Sequence, residues 1–257
     1  VLNGLRKKDF LWLKKEFELQ HQYKTLNAIS GNITKEGLEK LSSDDNIQTI
    51  SKDEEVSILL SDSVPQIIAD KVHDLGYKGK HQTICIIDTG IDYTHPALGG
   101  CTSTEFKNGA CKKVIGGYDF INNDNDPMDD DRNGHGTHVA GIAAANQFTF
   151  SNKLHSGVAP EASLAALKIL DSRGSGTYAG VLAAIDWCIT NSANLNISVI
   201  SMSLGAASIY SDPQSCKASL PPIAAAIDKA VKNNIAVVAA SGNSGSTGGV
   251  NPPACLP

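Results

Sequence analysis

Ile84-Cys85-Ile86-Ile87 runs without a break into Asp88-Thr89-Gly90-Ile91-Asp92, and this stretch decides how the chain is read. Four consecutive apolar residues suit a strand covered on both faces, as in a parallel sheet. A carboxylate at the end of such a run is desolvated on one side and needs a fixed partner. The plain alternative is an Asp-Thr-Gly turn that closes the strand. Similar short apolar segments follow at Val114–Phe120, Ser163–Ile169, Val199–Met202 and Ile235–Ala239, each bounded by turn residues. Between them Gly136–Ala145, Tyr178–Ile189 and Pro222–Lys232 have helical composition and length. Strands alternating with helices predict an α/β fold, a mainly parallel sheet with helices on both faces. Functional groups in such sheets collect at the carboxyl ends of strands.

The unusual residues fall there. Asn133-Gly134-His135-Gly136-Thr137-His138-Val139-Ala140-Gly141 opens a helix of small residues, with His135 at its mouth between two glycines. His138 lies one turn further along, but a third ligand at zinc spacing is missing, so it reads as a hydrogen-bonded packing residue. Val199-Ile200-Ser201-Met202-Ser203-Leu204-Gly205 is a strand ending in small polar residues. Val237-Val238-Ala239-Ala240-Ser241-Gly242-Asn243-Ser244-Gly245 ends another strand in an Asn flanked by glycine. That Asn is either an ordinary turn residue or an amide donor for a developing oxyanion.

Taken in order, Asp-Thr-Gly-Ile-Asp, His-Gly-Thr-His-Val-Ala-Gly, Ser-Met-Ser-Leu-Gly and Ala-Ser-Gly-Asn resemble the subtilisin-like serine proteases, the subtilases, from about Val64 onward. The resemblance implies a serine endopeptidase with His135 as general base and acid, Asp88 as its orienting partner and Asn243 as oxyanion donor. It implies that Ser203-Leu204-Gly205 and Gly174-Ser175-Gly176 clamp an extended peptide substrate from two edges. Ala240-Ser241-Gly242 would then wall the pocket for the side chain before the scissile bond, with room for a large apolar group. The family's nucleophile sits in a Gly-Thr-Ser-Met-Ala segment, and none of the 257 residues spell it. The expectation is therefore an incomplete catalytic domain whose 257 residues do not hydrolyse peptides by themselves.

The amino-terminal part differs in character. Residues 1–60 carry 19 of the 49 charged side chains and 3 of the 23 glycines, which predicts a boundary near Leu60. The expected domains are 1–60, a small α+β unit, and 61–257, the α/β unit. Leu5, Phe10, Leu13 and Phe17 predict an amphipathic helix over Leu5–Leu19. Asn27–Ile33, Ile47–Ile50 and Val56–Leu60 read as strands, and Thr34 as a helix cap. The resemblance identifies this unit as an inhibitory propeptide, with Leu26-Asn27-Ala28-Ile29-Ser30-Gly31 among its matching residues and self-cleavage near Leu60–Ser61.

Calcium is the cofactor that the resemblance brings to mind. However, the family's carboxylate after His-Pro is Ala97 here, and Gln147–His155 differs from the ligand loop. Asp124, Asp126, Asp129, Asp130 and Asp131 crowd the loop before His135 and either hold a hard cation or stay solvated. Of the six cysteines, Cys101 with Cys111 and Cys216 with Cys255 are expected as loop disulfides, and Cys85 and Cys188 as buried thiols. Two bridges suit a secreted or cell-envelope protein. The net charge of −5 offers no field for nucleic acid, and no apolar run approaches the roughly 18 residues of a membrane span. Two rival readings are a non-catalytic, peptide-binding or inhibitory relative and a dinucleotide-binding fold. Against the second, Gly174-Ser175-Gly176 lacks a third glycine.

Overall fold

The computed structural model describes residues 2–3, 15–22, 28–45, 47, 49–50 and 64–257. The chain divides into two compact units, Val1–Ile58 and Leu59–Pro257. The expected strand Val56–Leu60 and the expected cleavage point Leu60–Ser61 lie outside the described residues.

In the first unit β1 (Leu2–Asn3), β2 (Phe17–Gln22), β3 (Ala28–Ile33) and β4 (Thr49–Ile50) form an antiparallel sheet in the order β2-β3-β1-β4. Helix α1 (Lys35–Ser42) starts at Thr34, whose hydroxyl accepts the Gly37 amide at 3.1 Å. Leu41 is fully buried and packs with Phe17, Ile33, Ile47 and Ile50. The expected helix over Leu5–Leu19 is corrected at its end, because Phe17–Leu19 are strand. Phe17 satisfies a helical period and an alternating one equally, and pairing with β3 decides between them. The rest of that expected helix lies largely outside the described residues.

The second unit is built on five parallel strands: β5 (Thr83–Asp88), β6 (Val114–Asp119), β9 (Ser163–Lys168), β10 (Ile197–Met202) and β11 (Ala236–Ala239), in the order β11-β10-β5-β9-β6. Around it lie α2 (Ala69–Asp74), α3 (Ser103–Lys107), α4 (His135–Ala144), α5 (Tyr178–Leu195), α6 (Pro213–Ser219) and α7 (Pro221–Lys232). The two-residue period of β5 divides the core. Cys85 and Ile87 pack with Ala184, Ile185 and Cys188 of α5 and Ile223 of α7. Ile86 packs on the other face with Ala140 and Ala144 of α4. Both faces of the central strand are thus covered, which is why it reads as a continuous apolar run.

Packing explains two corrections. Cys85 and Cys188 are buried as expected, but they are not thiols: they form a disulfide with Cα atoms 6.5 Å apart. One lies on the face of β5 that meets α5 and the other on the face of α5 that meets β5, so burial and bonding have one cause. Cys101–Cys111 and Cys216–Cys255 are also bonded, and Cys216 lies in α6 rather than in a loop. His138 is exposed instead of packed. Residues 148–155, expected only to differ from a ligand loop, form a hairpin of β7 (Phe148–Phe150) and β8 (Lys153–His155) with both Phe rings against His155.

Candidate active site

Four strand ends open on one region. Asp88 is the last residue of β5 and Ser203 directly follows β10. Ala240 follows β11, and Asp171 opens the turn after β9. Asp88 is fully buried. Its Oδ1 accepts the Thr89 amide at 2.8 Å and lies 2.6 Å from His135 Nδ1. Its Oδ2 is buried without a hydrogen-bond partner. Burial pushes the Asp88 carboxyl above the usual carboxylate range, and the hydrogen bond to His135 pulls against that shift.

His135 is the first residue of α4, entered from Gly134 in the left-handed region (φ +61°). The helix start lies so close to β5 that a Cβ on Gly136 would stand 2.2 Å from the Gly90 carbonyl oxygen. Only glycine allows that approach. The first turn is tied on several sides: Gly136 N donates to Thr89 Oγ1 (2.8 Å), Thr137 N to Asp129 (2.9 Å) and His135 N to Asp131 (3.2 Å). The imidazole itself is 49% exposed, so its Nδ1 edge is held by a buried carboxylate while the ring reaches solvent. With Nδ1–H donating to Asp88, Nε2 keeps its lone pair and can take a proton.

His135 lines a cleft of about 450 Å³ with Asn243, the edge Gly174 and Gly176, and the edge Ser203-Leu204-Gly205. Asn243 is exposed in the loop after β11. The structure does not place Ser175 on this cleft: it lines an adjoining hollow with Phe120 and Thr177. Ala240, Ser241 and Gly242 are not among the cleft-lining residues either. Gly242 backs the loop instead, where a Cβ would meet Asn251 Oδ1 at 1.9 Å. Asn251 is buried and its amide donates to the Ala206 (2.7 Å) and Ser208 (3.1 Å) carbonyls, joining the Asn243 loop to the edge after Ser203. Sequence reading passed over Asn251, along with the cleft residues Arg173, Tyr178 and Val181. An Asn directly before Pro252-Pro253 carries no local signal for such a bridge.

The carboxylates of the acidic loop do not fit a cation site. Asp126 accepts from Tyr93 Oη (2.5 Å) and pairs with Lys107 (2.7 Å). Asp130 pairs with the buried Lys168 at 2.6 Å. Asp129 takes the Thr137 amide and hydroxyl, and Asp131 takes the amides of Asn133 and His135. The Asp124 carboxylate takes the Asp126 amide at 2.9 Å. Among the described residues no three acidic, His or Cys side chains gather as a metal group. Calcium takes 6–8 oxygens at about 2.3–2.6 Å, and here the carboxylates are drawn apart by separate partners.

Residues 79–256 match the model of the subtilase family, peptidase S8. Subtilisin E of Bacillus subtilis (strain 168) is 35% identical over 253 residues, 96% of this chain and 57% of that protein. The thermostable alkaline protease of Halalkalibacterium halodurans is 35% identical over 93% of this chain and 57% of its own length. Serine protease AprX of Bacillus subtilis (strain 168) is 34% identical over 92% and 50%. A crystal structure of a cold-adapted subtilisin-like serine proteinase aligns with a TM-score of 0.52 and 29% identity, over 70% of this chain and 54% of that one. The chain thus spans little more than half the length of the relatives it matches. A parallel five-stranded sheet with the Asp88–His135 pair at its carboxyl end agrees with those matches, and the chain belongs to the subtilase family.

Proposed function

We propose that this protein is a subtilisin-type serine endopeptidase acting on extended polypeptides. The observation that carries the reading is the 2.6 Å contact from His135 Nδ1 to a fully buried Asp88, at the edge of a cleft shared with Asn243. Asp88 fixes the Nδ1–H tautomer, so Nε2 serves as the base that accepts a hydroxyl proton and later returns it to the leaving amine. The Asn243 amide donates to the oxyanion of the tetrahedral intermediate. The substrate backbone pairs with the edges 174–176 and 203–205. The small residues Ala240, Ser241 and Gly242 support one side of this loop and leave the site uncharged there.

The nucleophile is not assigned to any serine of these residues, because none stands in the family's Gly-Thr-Ser-Met-Ala context. Residues 1–257 alone are therefore expected to lack turnover. That same feature favours one second reading, a non-catalytic relative that binds or inhibits through the cleft. The test is hydrolysis of an unstructured protein by the product of the whole reading frame. Turnover that disappears in His135→Ala supports the protease. Peptide binding without turnover supports the alternative, and turnover by residues 1–257 that His135→Ala abolishes sinks the nucleophile assignment.

The unit 1–60 is proposed as a propeptide and inhibitor removed near Leu60–Ser61. Sequencing the amino terminus of the mature protein checks this, and a start beyond Asp70 overturns it. Three disulfides suit an oxidising, extracytoplasmic location. Calcium at Asp124–Asp131 is left out of this reading because those carboxylates are already engaged.

A further inference from the structure

Lys168 is a buried cation for which the catalytic reading has no use. It ends β9, opposite Asp88 in the parallel register, and is 1% exposed. An ammonium has three protons, and all three are placed: on Thr89 O (2.8 Å), on Leu170 O (2.9 Å) and on Asp130 Oδ1 (2.6 Å). Those acceptors belong to three different segments. Thr89 continues the strand that carries Asp88. Leu170 opens the turn toward the edge 174–176 and lines the cleft. Asp130 belongs to the loop that leads into His135.

Thr89 connects this cation to the reacting pair. Its amide donates to Asp88 Oδ1, its hydroxyl accepts the amide of Gly136 beside His135, and its carbonyl is the one that Lys168 holds. One residue thus touches the carboxylate, the helix start and the buried ammonium. Holding the Thr89 carbonyl restrains the ψ torsion of Thr89 and, together with the bonds of its amide and hydroxyl, limits how far this residue can shift against Asp88 and Gly136. We propose that Lys168, acting through Thr89, is a positioning residue that sets the Asp88–His135 hydrogen bond. It touches neither substrate nor the reacting nitrogen.

The proposal rests on the reading of Asp88 and His135 as a catalytic pair, so the test separates the two. The ¹⁵N-labelled 257-residue protein is examined for the low-field proton resonance of His135 Nδ1–H, with a melting curve for each variant. Asp88→Asn should remove the resonance whatever Lys168 does. If the wild type lacks it, or Asp88→Asn leaves it in place, the catalytic pair itself fails and both readings go. Lys168→Met and Lys168→Gln should weaken or shift it in protein that still melts cooperatively, whereas a merely structural lysine would lower the melting temperature and leave the folded-state resonance alone. Asp130→Asn, which leaves both carbonyl contacts, should keep it. Should the Lys168 variants fail to fold, Thr89→Val keeps the volume and the carbonyl but cuts the bridge to Gly136, and should give the same loss. An unshifted resonance in folded Lys168→Met, Lys168→Gln or Thr89→Val overturns the proposal.

Discussion

Asp88 and Asp126 are carboxylates of one unit in opposite circumstances. Asp126 is surrounded by donors: the Tyr93 hydroxyl, Ser103 at 3.2 Å and the Lys107 ammonium. Burial pushes its carboxyl up, but Lys107, Tyr93 and Ser103 outweigh that and hold it below the usual range. Asp88 is buried more deeply, with one oxygen shared by Thr89 and His135 and the other left unbonded. Its carboxyl is pushed up instead. Asp126 is thus saturated with donors, whereas Asp88 keeps one buried oxygen unpaired, which costs stability.

The sharpest way to break this contrast is Asp88→Asn. If the product of the whole reading frame hydrolyses peptides as proposed, this change should lower its kcat by about 10⁴-fold, because the amide favours the wrong imidazole tautomer. Stability should move the other way. A carboxylate whose folded pKa lies above its unfolded value binds protons more readily in the native state, so stability falls as pH rises through that window. Above that window the cost is fully present, and there Asp88→Asn should raise the melting temperature. Melting curves beside initial rates measure both, and a variant that is inactive and less stable would refute the contrast.

Asp126→Ala is the converse experiment. It leaves the buried Tyr93 hydroxyl, whose pKa is pushed up to about 12 mainly by burial and also by Asp126, without its acceptor. The expected loss is about 1–3 kcal/mol by denaturant titration, with no effect on the cleft. The pH dependence has the opposite sign from that of Asp88. The folded pKa is depressed, so this stability is present above the unfolded value and lost as pH falls through the folded one. Acid unfolding should therefore be less steep in Asp126→Ala.

How much of this was legible beforehand follows the same division. The apolar run ending at Asp88 announced the central strand, because a strand covered on both faces has few polar positions to obscure it. Strand β10, with Ser198 and Ser201, and the edge strand β11, with Val238 exposed, were legible from short apolar runs bounded by turn residues. His135 between glycines announced the close helix start. What stayed hidden depends on contacts across the fold. Cys85 and Cys188 are 103 residues apart, and only the packing of β5 on α5 makes them a pair. The Asn251 bridge and the triple contact of Lys168 are likewise made by residues that look ordinary in their own neighbourhoods. The acidic loop left two readings open, a cation site or a solvated face, for the complementary reason. Its local density alone does not choose between them, while the partners that divide it, Lys107 and Lys168, come from elsewhere in the chain.

The cations carry the contrast further. Lys113 is 6% exposed and donates to the Pro160 carbonyl at 2.7 Å, and burial pushes its pKa down to about 8. Between that value and 10.5 the unfolded chain binds the proton more tightly, so stability should rise with pH across the window, with a ceiling of about 3 kcal/mol. Lys113→Met should flatten the rise between pH 8 and pH 10, read by chemical denaturation at each pH. A wild-type profile that falls there instead would contradict the burial of that charge.

The smallest effect separates a divided acidic loop from a metal site. Lys107 is half exposed, and its pair with Asp126 is a surface contact of small net effect. While it stands, a calcium ion must displace an ammonium 2.7 Å from the carboxylate and pull Asp126 away from Tyr93 before it gains a ligand. The wild type should therefore show no calcium-dependent rise in melting temperature that the double change Asp124→Ala with Asp126→Ala removes. Lys107→Ala removes that competitor and leaves Asp124 and Asp126 as unneutralised neighbours. The variant should melt slightly lower in EDTA and recover the difference when calcium is added. Calcium stabilisation of the wild type equal to that of the variant would mean that the loop binds a cation despite its lysines, and that the partners seen for Asp126 and Asp130 yield to it.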